Sequence, residues 1–132
     1  EMMQCLKEHP KLGHITTFGG HPVIAAAGLA TVNELNATNL MKETLRKEQL
    51  IRTSLKHPAI KEIRGRGLML AAIVATPEIA SQIILKCLNK GLLLFWLLFE
   101  GKAIRITPPL TISDDEIKKG CAILLEALEE VI

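Results

Sequence analysis

Arg105 stands in the run Ala103-Ile104-Arg105-Ile106-Thr107-Pro108-Pro109-Leu110, a cation between two β-branched apolar residues with a proline pair close behind. In an extended strand, Ile104 and Ile106 face one side while Arg105 and Thr107 face the other. Pro108 has no N–H to give to a ladder and ends the pairing. The spacing predicts a guanidinium held at the end of a rigid element and aimed away from the core. A planar fork of donors held there suits a carboxylate or phosphate. Taken alone, the segment reads first as a strand-end arginine that pairs with a neighbouring acid.

A second stretch, His14-Ile15-Thr16-Thr17-Phe18-Gly19-Gly20-His21-Pro22, places adjacent hydroxyls and a glycine pair just before a proline that can open a helix. Hydroxyls and free backbone N–H groups near a helix N-terminus make a phosphate site. An ordinary Ser/Thr-type loop that caps the helix is the alternative. His14 and His21 read as loop histidines rather than acid–base catalysts. Gly65-Arg66-Gly67 lacks the third glycine of a dinucleotide fingerprint and leads toward a strand, so it reads as a tight strand entry. Three cysteines, Cys5, Cys87 and Cys121, form no CxxC pair and share no ligand spacing with the four histidines, so no metal site is expected.

Composition narrows the classes further. With three Phe, one Trp and no Tyr, the chain lacks the rings a single-stranded nucleic-acid platform needs. The net charge is +2, and Lys and Arg interleave with Glu instead of forming a basic footprint, so nucleic acid is not an expected partner. The apolar run Leu92–Phe99 is too short to cross a bilayer, and the odd, unpaired cysteines suit a reducing compartment, so a cytoplasmic protein is expected. A length of 132 residues suffices for one domain with a real core.

The elements that must position these residues follow from pattern and punctuation. Glu1–Glu8 reads as a short helix stopped by Pro10, and 11–20 as an irregular loop. Pro22 opens an alanine-rich helix, with a break at Asn36–Asn39 and a second helix up to His57-Pro58. Residues 63–75 read as one buried strand entered through the glycine turn. Thr76-Pro77-Glu78 starts a helix to about Lys90, with Gly91 ending it. Leu92–Phe99 reads as a strand, Glu100-Gly101 as a turn and Ala103–Thr107 as its hairpin partner. Ser113 and Glu116 form a capping box for a last helix carrying Ile117, Cys121, Leu124, Leu125 and Leu128 on one face. The expected fold is α/β of the α+β kind: a small, mostly antiparallel sheet of three to four strands, helices on one face and an N-terminal helical arm. The expected organisation is an interface and phosphate-loop segment over 1–21, a connecting helical arm over 22–56 and a small C-terminal domain over 57–132.

In order along the chain, Thr16-Thr17-Phe18-Gly19-Gly20-x-Pro22 before an alanine-rich helix, Arg64-Gly65-x-Gly67-Leu68-Met69, and Arg105-x-x-Pro108-Pro109-Leu110 before a Ser-Asp-Asp-Glu helix start resemble one known pattern. It is that of the class III pyridoxal-phosphate aminotransferases, of the ornithine and acetylornithine type and of fold type I. The resemblance covers essentially the whole chain. It implies that the threonine pair lies at a homodimer interface, with Thr17 binding the phosphate of the cofactor held by the other subunit and Thr16 beside the substrate. It implies that Arg105 grips the substrate carboxylate. The family usually has Asn where this chain has His21. The lysine that forms the Schiff base, and the aspartate that meets the pyridine nitrogen, are implied upstream of Glu1. The resemblance therefore implies a fragment that is inactive and does not hold pyridoxal 5'-phosphate by itself. Its parent would pass an amino group from an ω-amino acid to a 2-oxo acid. A free-standing small α/β ligand-binding or regulatory module is the competing expectation.

Overall fold

The computed structural model describes residues 15–132. The element order is α1 (Pro22–Ala37), α2 (Leu40–Ser54), β1 (Glu62–Arg66), β2 (Met69–Ile73), α3 (Pro77–Asn89), β3 (Phe95–Leu97), β4 (Glu100–Ile106) and α4 (Asp114–Val131). The helix expected over Glu1–Glu8 lies outside the described residues. The chain divides after Thr38 into two compact units. That division falls inside the stretch 22–56 grouped from sequence as one arm: α2 packs in the second unit, where its Ile51 joins the core.

Caps set the helix starts. The Thr76 hydroxyl accepts the Ile79 amide at 3.3 Å, with Pro77 filling the first helical position, where no N–H is needed. The Ser113 hydroxyl accepts the Glu116 amide, and the Glu116 carboxylate accepts the Ser113 amide at 2.8 Å, completing the capping box. Helix α3 ends in a Schellman motif. Gly91 takes φ +84°, its amide donates to Leu88 and the Leu92 amide donates to Cys87 at 2.8 Å.

The strands form one antiparallel sheet in the order β1-β2-β4-β3. Period-2 alternation sorts its faces. Leu70, Ala72, Val74 and Ile104 point into a core shared with Ile51 of α2, Ile83, Ile84 and Cys87 of α3, and Leu124 and Leu128 of α4. Each fully buried aliphatic side chain there contributes about 1.5–3 kcal/mol of transfer free energy. The opposite face carries a smaller cluster of Ala71, Ile73 and Ala103 with Leu97 beside it. The α+β architecture expected from the sequence is the one observed.

Two strand assignments change. Residues 63–75 are not one strand but the β1–β2 hairpin, in which Arg66 pairs with Met69 across the two residues Gly67 and Leu68. Gly67 sits at φ +60°, as a two-residue hairpin turn requires. Gly65 lies inside β1 at φ +110°, where an added Cβ would fall 2.0 Å from the Met69 carbonyl oxygen. The strand expected over Leu92–Phe99 shortens to Phe95–Leu97, because Leu92 is spent closing the α3 cap and the register shifts between Trp96 and Leu97. The turn moves to Leu98-Phe99, and Glu100-Gly101 become the start of β4.

Candidate functional site

Strand β4 lies between β2 and β3, so the residues before Pro108 are fixed from both sides. Ile104 is fully buried on the helix face, and Ile106 packs against the same core. Arg105 projects from the other face. Its cross-strand neighbours are Ala71 on β2 and Phe95 on β3. Ala71 offers a methyl group, and Phe95 offers a ring. The guanidinium carbon lies 5.0 Å from that ring's centroid, within cation–π range. The Arg105 Nε is buried and has no hydrogen-bond partner among the described residues. A buried donor left open is uncommon in a folded chain, where such groups are met by protein, ordered water or a ligand. Arg105, Phe95 and Thr107 also border an apolar cavity of about 400 Å³ closed by Ile117 and Leu124.

The turn that follows Arg105 is held by α2. Lys47 is only 6% exposed and donates from Nζ to the Leu110 carbonyl at 2.7 Å. Arg46 forms a two-pronged pair with Asp114 at the start of α4, 2.8 Å on each arm. That guanidinium holds the Asp114 carboxyl below the usual carboxylate range. From the next residue, Glu48, the same helix holds the β1–β2 hairpin. The Glu48 carboxylate accepts the Gly67 amide and, through its other oxygen, the Arg52 Nε at 2.8 Å. Arg52 donates onward to the Ile63 and Gly65 carbonyls. The Gly67 amide first, and then Arg52, hold Glu48 below its ordinary titration range. Lys47 and Glu48 were not legible in the sequence, where they sit among the charges of an amphipathic helix. The one signal was their placement just before Ile51 on the turn that enters the core.

The threonine segment belongs to the first unit, and Arg105 to the second. Thr16 and Thr17 are both exposed, on a turn that leads into α1. The Gly19 amide donates to the Thr16 carbonyl at 3.3 Å, and the His21 amide to the Phe18 carbonyl at 3.0 Å. The Thr16 hydroxyl folds over position 19, where an added Cβ would meet it at 2.4 Å, so a side chain there would displace it. Gly20 takes φ +76°. The helix cap is neither hydroxyl. His21 Nδ1 accepts the Val23 amide at 3.3 Å, which requires the tautomer protonated on Nε2. His21 therefore does at the cap what an Asn side chain does, since both offer one acceptor to the first turn. The Phe18 ring meets His21 edge-on, 6.1 Å between centroids.

Among the described residues no group of three or more His, Cys, Asp or Glu could hold a metal ion, and no helix is long and apolar enough to cross a membrane.

Comparison with known proteins agrees with this geometry. The chain is 38% identical over 123 residues to an acetylornithine aminotransferase of Caldanaerobacter subterraneus, covering 89% of this chain and 30% of that protein. It is 35% identical to a putrescine aminotransferase of Pectobacterium atrosepticum, covering 96% of this chain and 27% of that one. The solved ornithine aminotransferase of Toxoplasma gondii, with PLP at partial occupancy in its active site, superposes with a TM-score of 0.78 at 29% identity over 98% of this chain and 31% of its own. The chain thus spans about 30% of the length of the curated relatives it matches. The pattern described as aminotransferase class-III matches residues 1–128, nearly the whole chain, and with the threonine turn, the glycine hairpin and the Arg-x-x-Pro-Pro-Leu strand end all in place, this chain belongs to the class III aminotransferase family.

Proposed function

We propose that this chain is the part of a PLP-dependent aminotransferase that receives the carboxylate of an amino-acid or 2-oxo-acid substrate through Arg105. The donor would be an ω-amino acid of the ornithine or acetylornithine kind. The observation that carries this reading is the Arg105 guanidinium, held on a strand of fixed register and left with a buried Nε unpartnered among the described residues. A carboxylate accepts two parallel N–H bonds from one edge of that fork, which satisfies the open donor and fixes the substrate's orientation together. Class III aminotransferases use PLP, which supplies the electron sink for amino-group transfer when bound. Among the described residues, the turn Thr16–Gly20 fits its phosphate. Its hydroxyls are exposed, its glycines let backbone approach closely, and helix α1 presents its positive end just beyond. In this reading Thr17 donates its hydroxyl to the phosphate across a homodimer interface, and Thr16 lies beside the substrate.

The test is Arg105→Ala in the complete polypeptide that contains this chain. Hydrogen bonds to a charged group contribute about 1.5–3 kcal/mol, so kcat/KM for α-amino acids should fall about ten- to a hundredfold. A primary amine without the α-carboxylate should be much less affected, and bound cofactor should stay constant. Arg105→Lys should restore only part of the loss, because an ammonium lacks the planar fork. Equal loss for both substrates would return Arg105 to a structural role.

A further inference from the structure

We infer that Phe95 is the positioning residue for Arg105, setting the plane of the guanidinium that meets the substrate carboxylate. The inference rests on the carboxylate reading of Arg105 and adds to it a residue that no sequence motif marks. Three observations converge. Phe95 and Arg105 are direct cross-strand partners on one face of the sheet, and the guanidinium carbon is 5.0 Å from the ring centroid. On the other flank the partner is Ala71, whose methyl cannot reach a guanidinium, so of the two cross-strand neighbours Phe95 supplies the lateral hold. Strand β3 is itself anchored, because the Trp96 indole N–H donates to the Ser81 hydroxyl of α3 at 3.0 Å. Trp96 then meets Phe95 edge-to-face, with centroids 5.9 Å apart and an angle of 78°. The path runs from α3 through Trp96 and Phe95 to Arg105.

A stacked guanidinium keeps its edges for hydrogen bonding while its face is occupied, so the ring restricts rotation without competing for the donors. The ring is half exposed, and its position beside the guanidinium makes it part of the wall a substrate meets. Phe95 would therefore favour substrates with a carboxylate over those without one. It would do so through Arg105 and not by touching the reacting atoms.

The experiment compares Phe95→Leu and Phe95→Tyr in the complete polypeptide, with Arg105→Ala as reference, on an α-amino acid and on the corresponding amine lacking the carboxylate. A cation–π contact at a partly exposed site corresponds to about a two- to fivefold effect. Phe95→Leu should raise KM for the α-amino acid by that factor, leave the amine unchanged and leave bound cofactor constant. Phe95→Tyr should keep the wild-type KM. Replacing Phe95 with pentafluorophenylalanine keeps the ring's shape and inverts its face charge, and it should reproduce the leucine result. Equal losses on both substrates, or a pentafluoro variant that behaves as wild type, would overturn the inference. If Arg105→Ala discriminates between the substrates and Phe95→Leu does not, the inference fails alone. If Arg105→Ala does not discriminate, the carboxylate reading fails first and takes the inference with it.

Discussion

Helix α1, whose only charged residue is Glu34, is far more apolar in sequence than helix α4, yet it is α4 that buries a face. Helix α4 buries Ile117, Cys121, Leu124, Ala127 and Leu128 on one face and turns its acids outward. Helix α1 buries nothing, and Val23, Ile24, Leu29 and Val32 all stand exposed. The difference lies in arrangement. The apolar residues of α4 recur at helical spacing and form a stripe that one neighbour can cover. Those of α1 are spread around the helix among alanines, the pattern of a helix covered on several sides. Helix α4 states its partner in its sequence. Helix α1 marks no single face for a partner.

The widest separation between the two should come from truncating Leu124. It is 2% exposed among α2, α3 and the sheet, and Leu124→Ala should cost about 2–5 kcal/mol in urea unfolding, the cost of a lost side chain and the cavity left behind. Almost as damaging should be Gly65→Ala. The backbone at φ +110° resists a side chain, and the added Cβ would sit 2.0 Å from a carbonyl oxygen of the paired strand, so the hairpin must shift by about 1–3 kcal/mol of strain. An added Cβ at Gly28 in α1 would meet nothing within 4 Å, and Gly28→Ala should stabilise its helix by about 1 kcal/mol, read as increased helical circular dichroism. A destabilising Gly28→Ala would mean that another surface packs closely against α1 in solution.

Much of the fold was legible because it is written in local chemistry. Thr76-Pro77, Ser113 with Glu116, and Gly91 each fix one helix end through a hydrogen bond a few residues long, and the structure uses all of them. The misread regions depend on information that is not local. Nothing local splits 63–75 into two strands; Glu62, Arg64 and Arg66 form a separate edge strand only through pairing with Ile73, Ala71 and Met69. Leu92 has a strand-like sequence, but the α3 cap claims its amide. Arg105 was visible from its neighbours in sequence, whereas Phe95 beneath it follows only from cross-strand register. Lys47 and Glu48 resemble solvated helix charges until the chain folds their targets, Leu110 and Gly67, onto them.

Proton linkage probes the second unit in a gentler way. The Lys86 and Lys90 ammonium groups hold the Glu130 carboxyl down at about 2, and Glu48 is held below its ordinary value by Gly67 and Arg52. A carboxyl whose folded value is depressed stabilises the fold above its unfolded value and loses that contribution as pH falls toward the folded one. Unfolding midpoints should therefore be level near neutrality and decline from about pH 5 downward. In Glu48→Gln the decline should be shallower, with a lower starting midpoint, because a neutral amide still offers an oxygen to Gly67 but no charge to Arg52. A slope unchanged by that substitution would show that Glu48 titrates normally. Burial pushes the thiols of Cys87 and Cys121 up to about 11, so in a Cys5→Ser background neither should react with a disulfide reagent at pH 8 faster than the chain unfolds.

The smallest expected effect tests the comparison most directly. Leu29 has the same side chain as Leu124 and is 62% exposed in the middle of α1. Leu29→Ala removes no packed contact and exchanges leucine for the residue of highest helix propensity, so urea unfolding of this chain should change by no more than about 0.5 kcal/mol. The two leucine truncations, run side by side, differ in burial and in nothing chemical. A loss at Leu29 approaching that at Leu124 would mean that α1 is covered in solution, either by a second copy of the chain or by the rest of this one. Those two cases separate by concentration. A cover supplied by a second copy makes the wild-type midpoint rise with protein concentration and makes Leu29→Ala insensitive to it. A cover supplied within one chain leaves both midpoints independent of concentration, and in that event the exposed helix described above is not its state in solution.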